Sequence, residues 1–408
     1  MKRIISLLCM TMVVATLAAT QSVAGGASTG LSQAAQNIAA ARQAVHDKPT
    51  EYAGYNLLAT ALVQRAQETS DDSFYTQAED AVQQSLALAP NNFDTQKIRI
   101  SILLGEHEYP DALEAAQALN KRVPDDVMVY GWLSDANTEL GNYVDAETAT
   151  QWMLNLRPGN LPALTRAAHL RELFGDTEGA YELMDLAYQS ASPTESLERA
   201  SILTQMGHLR FTSGSTDAAE KLFQQALTSF PGYPTALGNL AEVRIAQKRY
   251  AEAVVLLQQR YQDVPNAGNL YELADALRLA GREGEARNAF TEFETKSLAE
   301  SSKRKNSNRE LVFYYADRAR QPAKALKVAQ QEYAWRRDVY TLDAYAWALH
   351  VNGRDEEARK QMETAMAVGV RDASLLSHAR EIGLQNRNVD AADPDLRRSV
   401  AAGMPLSR

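Results

Sequence analysis

Residues 125–158 read DDVMVYGWLSDANTELGNYVDAETATQWMLNLRP, and the landmarks of this stretch recur along the chain at a fixed pitch. Its closing proline, Pro158, follows Pro124 and Pro90 at intervals of 34 residues. One column of small residues keeps this pitch at first and then continues less regularly: Ala78, Ala112, Ala146, Ala180, Ala219, Ala253, Ala286, Ala325 and Ala358. A period of this length is typical of stacked helical hairpins. The sequence therefore predicts an all-α solenoid of antiparallel helix pairs with one continuous core.

Each landmark of the repeat has a physical role. Gly141 ends the first helix of its pair, because glycine adopts the left-handed backbone conformation at little cost. Tyr143 opens the second helix, and Ala146 lies where the two helices cross, so that a small side chain lets their backbones approach. The closing proline ends the second helix. The pattern predicts helices over residues 127–140 and 143–156.

Three stretches resemble the tetratricopeptide repeat (TPR) family: LSDANTELGNYVDAETATQWMLNLRP (133–158), LGNLAEVRIAQKRYAEAVVLLQQRYQDVP (237–265) and AWALHVNGRDEEARKQMETAM (346–366). The resemblance covers roughly residues 49–405 in about nine units. It implies a right-handed superhelical array of helix pairs. Residues 25–48 form an N-terminal segment with a capping helix in this interpretation.

The first 26 residues, MKRIISLLCMTMVVATLAATQSVAGG, have the pattern of a secretory signal. Two basic residues precede an apolar run that ends before the small residues Ser22 and Ala24, so we expect a signal peptide over residues 1–24 and an exported protein, periplasmic or secreted. The alternative is an uncleaved membrane anchor, but the run is short and interrupted by polar residues. Leu8 precedes the single cysteine, Cys9, and this does not favour lipid attachment.

Charge narrows the choice of partners. The chain has 42 basic and 51 acidic residues and a net charge of −9. Without Lys2 and Arg3 the mature chain would carry 40 basic against 51 acidic residues, a net charge of −11. No basic stripe is present, so nucleic acid and anionic membrane surfaces are disfavoured as partners, and no membrane insertion is expected after signal cleavage.

The sequence offers no catalytic or cofactor-binding motif. Its six histidines are scattered without an HExxH motif, so a metal site has no support. GxSxG, GxxxxGK[ST] and GxGxxG are all missing from the sequence. We therefore expect a protein that is not an enzyme and needs neither metal nor cofactor.

The resemblance implies that the first helices line a concave groove, which binds peptide segments or protein faces. Residues expected to face this groove are the candidate partner-binding set: Asp135, His169, His208, Phe211, Glu242, Asp275, Tyr314 and Trp347. Large aromatics at exposed positions are typical interface anchors, and the acidic members favour a basic or hydrogen-bonding partner. The competing interpretation is that exposed helix positions are simply polar.

Two functional hypotheses follow. The first is an exported, non-enzymatic TPR scaffold that mediates protein–protein interaction through its concave groove. The alternative is an accessory subunit of an envelope secretion or polysaccharide-export machine. Residues 296–309 are polar and lack the expected proline, and this segment is either an overlong helix with an exposed loop or a hinge or docking loop.

Overall fold

The computed structural model describes residues 32–69, 71–301 and 309–384. The expected signal peptide and residues 385–405 of the expected array lie outside these ranges, so the predicted outer limits of both stay predictions. Within the described ranges, no helix combines the length and the apolar character that crossing a membrane requires.

Nine helix pairs follow one another along the described chain. A helix at Gln33–Asp47 (α1) precedes them and a helix at Ala373–Glu381 (α20) follows them. The pairs, called units 1 to 9, are α2 Tyr52–Thr69 with α3 Ser73–Leu88, α4 Phe93–Gly105 with α5 Tyr109–Arg122, α6 Val127–Glu139 with α7 Tyr143–Leu156, α8 Leu161–Leu173 with α9 Thr177–Ser190, α10 Ser196–Thr212 with α11 Thr216–Ser229, α12 Pro234–Ala246 with α13 Tyr250–Asp263, α14 Ala267–Leu279 with α15 Glu283–Ser301, α16 Arg309–Phe313 with α17 Pro322–Trp335, and α18 Val339–Val351 with α19 Asp355–Val368. The predicted all-α superhelix of helix pairs is confirmed.

The repeat landmarks take the positions that their chemistry favours. Ala146 and Ala253 are completely buried between the two helices of their pairs, and the rest of the alanine column is buried with them. Gly141 has φ of +77° at the turn between α6 and α7, in the left-handed region that favours glycine. Side-chain caps begin several first helices; for example, the Asp126 carboxylate accepts from the backbone N–H of Met128 and Val129.

First helices form the inner layer of the superhelix. Consecutive first helices are in direct contact at most junctions, whereas each second helix packs mainly on its own partner and on the next first helix. Helices that touch in this way lie on the shorter, concave side of a curved array. The concave face is therefore built from α2, α4, α6, α8, α10, α12, α14, α16 and α18.

The superhelix closes on itself between units 3 and 4 and unit 9. The backbone N–H of Arg337, just before α18, donates to the carbonyl oxygen of Glu139 at the end of α6 (3.0 Å). The N–H of Val339 donates to the hydroxyl of Tyr143 (3.0 Å). A Cβ added at Gly175 would lie 2.5 Å from the carbonyl oxygen of Gly369, so the backbones of units 4 and 9 also approach closely. This closing contact encloses the middle of the concave face.

Two helices, α2 and α15, are longer than the repeat pattern requires. Helix α2 continues to Thr69, and the side chain of Glu68 accepts a hydrogen bond from the hydroxyl of Ser32 (2.5 Å) at the start of α1. Helix α15 is overlong, as one of the two predictions for residues 296–309 required, and it reaches Ser301. Most of the remaining segment lies outside the described residues.

Unit 8 has an irregular first helix. Five residues of α-helix, Arg309–Phe313, pass directly into a π-helical turn over Tyr314–Arg318. The wider turn is closed by a hydrogen bond from the N–H of Ala319 to the carbonyl oxygen of Tyr314 (2.8 Å). A π-turn shifts the register of the side chains that follow it relative to a regular α-helix.

Candidate binding surface on the concave face

Asp135 lies on α6 and pairs with a buried arginine of the next first helix. Arg166 of α8 donates through Nη2 to Oδ2 of Asp135 (2.6 Å) and through Nε to Oδ1 (2.8 Å). Burial raises the pKa of Asp135, and the attraction of Arg166 opposes this rise. The carboxylate therefore joins units 3 and 4, and its charge is largely neutralised within the protein.

A histidine and glutamate cluster occupies the centre of the concave face. Nε2 of His208 on α10 lies 3.1 Å from Oε1 of Glu172 on α8, and Nδ1 of His169 lies 3.7 Å from Oε2. Gln205 donates to the same carboxylate at 2.6 Å. The side chains of His169 and His208 remain 28% and 15% exposed, although protein surrounds both of them.

Electrostatics sets the ionisation of this cluster. Burial would raise the pKa of Glu172, but the nearby His208 and hydrogen bonds from both imidazoles lower it to about 2. Burial would lower the pKa values of His169 and His208, yet their contacts with Glu172 prevail and both pKa values are raised. These contacts therefore favour the charged form of all three groups relative to the same side chains in water.

The opposite wall of the enclosed region comes from unit 9 and α20. Burial and the nearby Asp343 carboxylate raise the pKa of Asp372, the N-cap of α20, to about 6. His208 acts on this group in the opposite direction. Burial raises the pKa of Tyr340 well above its ordinary value, with Glu172 and Asp372 adding to the effect. The charges of Glu172 and His208 thus act on groups of unit 9 and α20.

A second ionic cluster holds the closing contact together. Arg336 contacts Glu139 (2.5 Å) and Asp338 (2.8 Å), and Arg309 also reaches Asp338 (3.2 Å). Burial raises the pKa of Glu139, against the attraction of Arg336. For Asp338 burial acts in the same direction, but the two arginines prevail and the pKa is lowered. Glu139 therefore serves the closure of the fold.

The predicted aromatic anchors are packed inside the protein. Trp347 is only 3% exposed, and its indole N–H donates to Asp317 (3.0 Å) while its ring stacks on His378 at 4.4 Å. Tyr314 is half-buried against Phe290 and Phe293. The expectation of exposure was wrong for Trp347, which Asp317 of unit 8 and His378 of α20 cover, whereas Tyr314 keeps part of its surface accessible beside the second helix α15.

Phe211 and Asp275 are also engaged in packing between or within units. Phe211 is half-buried against Phe223 and the apolar residues of α12. Asp275 is buried and contacts Arg318 of unit 8 (2.8 Å) and Arg278 (3.0 Å). The expectation that Asp275 is accessible in the groove was wrong, whereas Phe211 keeps part of its surface accessible.

Of the eight candidates, Asp275 and Trp347 are buried and the other six keep part of their surface accessible, among them His169, His208 and Glu242. These three lie on the first helices of units 4, 5 and 6, and Glu242 raises the pKa of His208. The buried cations were missed by the sequence argument. Arg166 stands one helical turn before His169 on the same face, so reading positions i−3 of the groove series would have revealed it. Among the described residues, no group of three or more His, Cys, Asp or Glu side chains is arranged to hold a metal ion.

Comparisons with known proteins agree with the repeat architecture. Residues 99–151 and 210–271 match tetratricopeptide repeat models. A segment of 108 residues, 26% of this chain, is 32% identical to Cellulose synthase operon protein C of Xanthomonas axonopodis pv. citri (strain 306). That match covers 7% of the relative, so the chain spans only a small part of that protein's length.

Solved structures share the fold at low identity. A monomeric IFIT1 mutant with Gppp-AAAA has a TM-score of 0.50 at 12% identity, over 82% of this chain and 95% of that chain. PilW, a type IV pilus biogenesis factor, has a TM-score of 0.42 at 14% identity, over 50% of this chain and 92% of that chain. At these identities the likeness concerns the fold alone. The chain carries tetratricopeptide repeats and folds as a TPR superhelix.

Proposed function

We propose that this tetratricopeptide repeat protein is an exported, non-enzymatic scaffold that binds another protein through its concave face. One observation supports the choice of site: the cluster of His169, His208 and Glu242 keeps accessible surface in the enclosed centre of that face. The other acidic and aromatic candidates are engaged in holding the units together. The matches to tetratricopeptide repeat models support a role in protein–protein interaction.

The chemistry of the cluster selects the kind of partner. Two histidines with raised pKa values flank one ionised carboxylate, and the charge of Glu242 acts on His208. The surface therefore presents charges of both signs and several hydrogen-bonding groups within a narrow space. A polar, extended segment of a partner protein fits this surface better than a strongly basic one, since Arg166 and Arg336 already neutralise nearby carboxylates.

The proposed export is inferred from the pattern of the first 24 residues and is tested separately. The mature protein should begin at or near Gly25 and be recovered from the periplasm or the medium. Intact-mass measurement of protein purified from cells of the native host checks the cleavage position. A species that keeps residues 1–24 or carries lipid on Cys9 would overturn this part of the proposal.

Binding at the concave face is tested by site-specific photo-crosslinking in intact cells. A photoreactive residue replaces Glu242 in one variant and Gln224, on the outer helix α11, in a matched control. We expect a discrete protein adduct from position 242 that weakens when His208→Gln is added, and none from position 224. Adducts of equal yield from both positions would show that the concave face is not the binding site.

The alternative function is an accessory role in polysaccharide export. The similarity to Cellulose synthase operon protein C favours it over other envelope machines. Deletion of the gene should then lower the amount of exported polysaccharide, whereas a scaffold for another process should leave it unchanged. Carbohydrate analysis of the deletion strain, with the intact gene restored as a control, separates the two.

A further inference from the structure

The outer helix of unit 3 carries an exposed apolar row. Val144, Trp152 and Leu156 lie on α7 at spacings that place them on one face, and Val144 and Trp152 are 64% and 48% exposed. The Trp152 ring stacks on Tyr130 of α6 with ring centroids 5.9 Å apart. This contact holds the indole in place while leaving much of it accessible. A large aromatic held in this way is the kind of residue that anchors protein interfaces.

Neighbouring outer helices extend this row and border it with carboxylates. Leu186 of α9, which is also exposed, occupies in unit 4 the position that Trp152 occupies in unit 3. Glu114 of α5 and Glu182 of α9 occupy, in the units before and after, the repeat position one turn before that of Trp152. Both are exposed, and in the described part of the chain neither forms an ion pair.

Charge around the row is strongly one-sided. The outer helices of this surface, α5, α7 and α9, contain 7 Asp and Glu against 2 Lys and Arg. Exposed cations lie at the C-terminal ends of α5 and α7, where Arg122 donates to Gln96 (2.5 Å) and Arg157 follows α7, and Arg210 pairs with Glu178 at the start of α9 (2.9 Å). The half of the row nearest Val144 is therefore acidic, and Asp145 adds to it.

We propose that this outer surface, formed by Val144, Trp152, Leu156, Leu186, Glu114 and Glu182, is a docking site for a basic amphipathic helix of a partner protein. An apolar row between carboxylates is complementary to a helix whose apolar stripe is flanked by lysine or arginine. The row from Val144 to Leu156 is about 18 Å long at the rise of an α-helix, enough for about three turns of such a partner. The site lies on the convex side, so its test does not depend on the binding function proposed for the concave face.

The probe for this site is a synthetic 14-residue helical peptide with leucines on one face and lysines beside them. The control peptide has glutamate in place of each lysine. We expect the lysine peptide to bind the full mature protein in fluorescence anisotropy, and binding to weaken at least tenfold in Trp152→Ser. Glu114→Gln combined with Glu182→Gln should weaken binding several-fold and reduce its dependence on salt.

Val255→Ser is the control for a generic effect of removing surface apolar groups, because Val255 is 65% exposed on α13, away from the row. This variant should bind the lysine peptide as the unmodified protein does. Equal binding by Trp152→Ser, equal binding of the glutamate peptide, or equal weakening by Val255→Ser would each overturn the assignment. Sedimentation of the protein alone is the second measurement. A dimer that Trp152→Ser dissociates would show that a second copy of this chain covers the row and would also overturn the proposal.

Discussion

Replacement of Glu172 by glutamine is expected to destabilise the protein in a way that depends on pH. The carboxylate lies between His169 and His208, and its pKa is about 2 in the folded protein against an ordinary value of 4.5. A difference of this size corresponds to about 3 kcal/mol of stability when the group is ionised. Glutamine has nearly the same shape and still accepts a hydrogen bond from Gln205, so the change removes mainly the charge.

The stability cost of Glu172→Gln is expected to fall at both ends of the pH range. The folded pKa of Glu172 lies below the unfolded value, so its contribution is present above pH 4.5 and is lost as the pH falls towards 2. The pKa values of His169 and His208 are raised, so their contribution is present below 6.5 and is lost as the pH rises through the folded values. The cost of Glu172→Gln should therefore be largest between pH 4.5 and 6.5.

Urea denaturation followed by circular dichroism, repeated between pH 3 and pH 9, measures this cost. Glu220→Gln is the matched control, because the pKa of Glu220 is also lowered to about 2, but by hydrogen bonds from Arg244, which keeps its charge over the whole range. The control should lose its effect only on the acid side. A cost for Glu172→Gln that stays constant from pH 5 to pH 9 would refute the charged cluster.

Three further outcomes follow from the contacts described above. Arg166→Met should cost about 3 to 5 kcal/mol of unfolding free energy, because it leaves Asp135 enclosed without its cation; urea denaturation checks this, and a loss below about 1 kcal/mol would contradict it. Tyr143→Phe removes the acceptor for the N–H of Val339 and should cost about 1 to 3 kcal/mol, with faster hydrogen exchange at the start of α18 as the local readout. Asp372→Asn keeps a good helix cap but removes a carboxylate whose pKa is raised to about 6. Since a raised carboxyl pKa makes the ionised form unfavourable, this variant should gain up to about 3 kcal/mol above pH 6 and nothing below pH 4, and melting temperatures at pH 4 and pH 8 test the difference.

The candidate site was predicted only in part from the sequence. The groove series placed His169 and His208 on one inner surface of consecutive units, and the structure brings them to the same carboxylate. The exposure of Trp347, Tyr314 and Asp275 could not be judged in the same way. Whether an inner side chain is covered depends on how closely the neighbouring helices approach and on which of their side chains contacts it. A repeat pattern that is read one unit at a time shows neither.

The periodic positions determined the helix pairs, because each depends on interactions within one unit or with the next. Ala146 sets how closely two helices approach, Gly141 supplies the left-handed turn, and proline ends the pair, so the sequence alone determined the all-α superhelix. Only the tertiary structure decided that the superhelix closes between unit 3 and unit 9, where Arg337 and Val339 meet Glu139 and Tyr143. That contact joins residues about 200 positions apart, and it arises from small changes of angle accumulated over many units. The sequence of one repeat does not show this accumulated rotation. The enclosed cluster on the concave face and the exposed row on the convex face are therefore visible only in the folded chain.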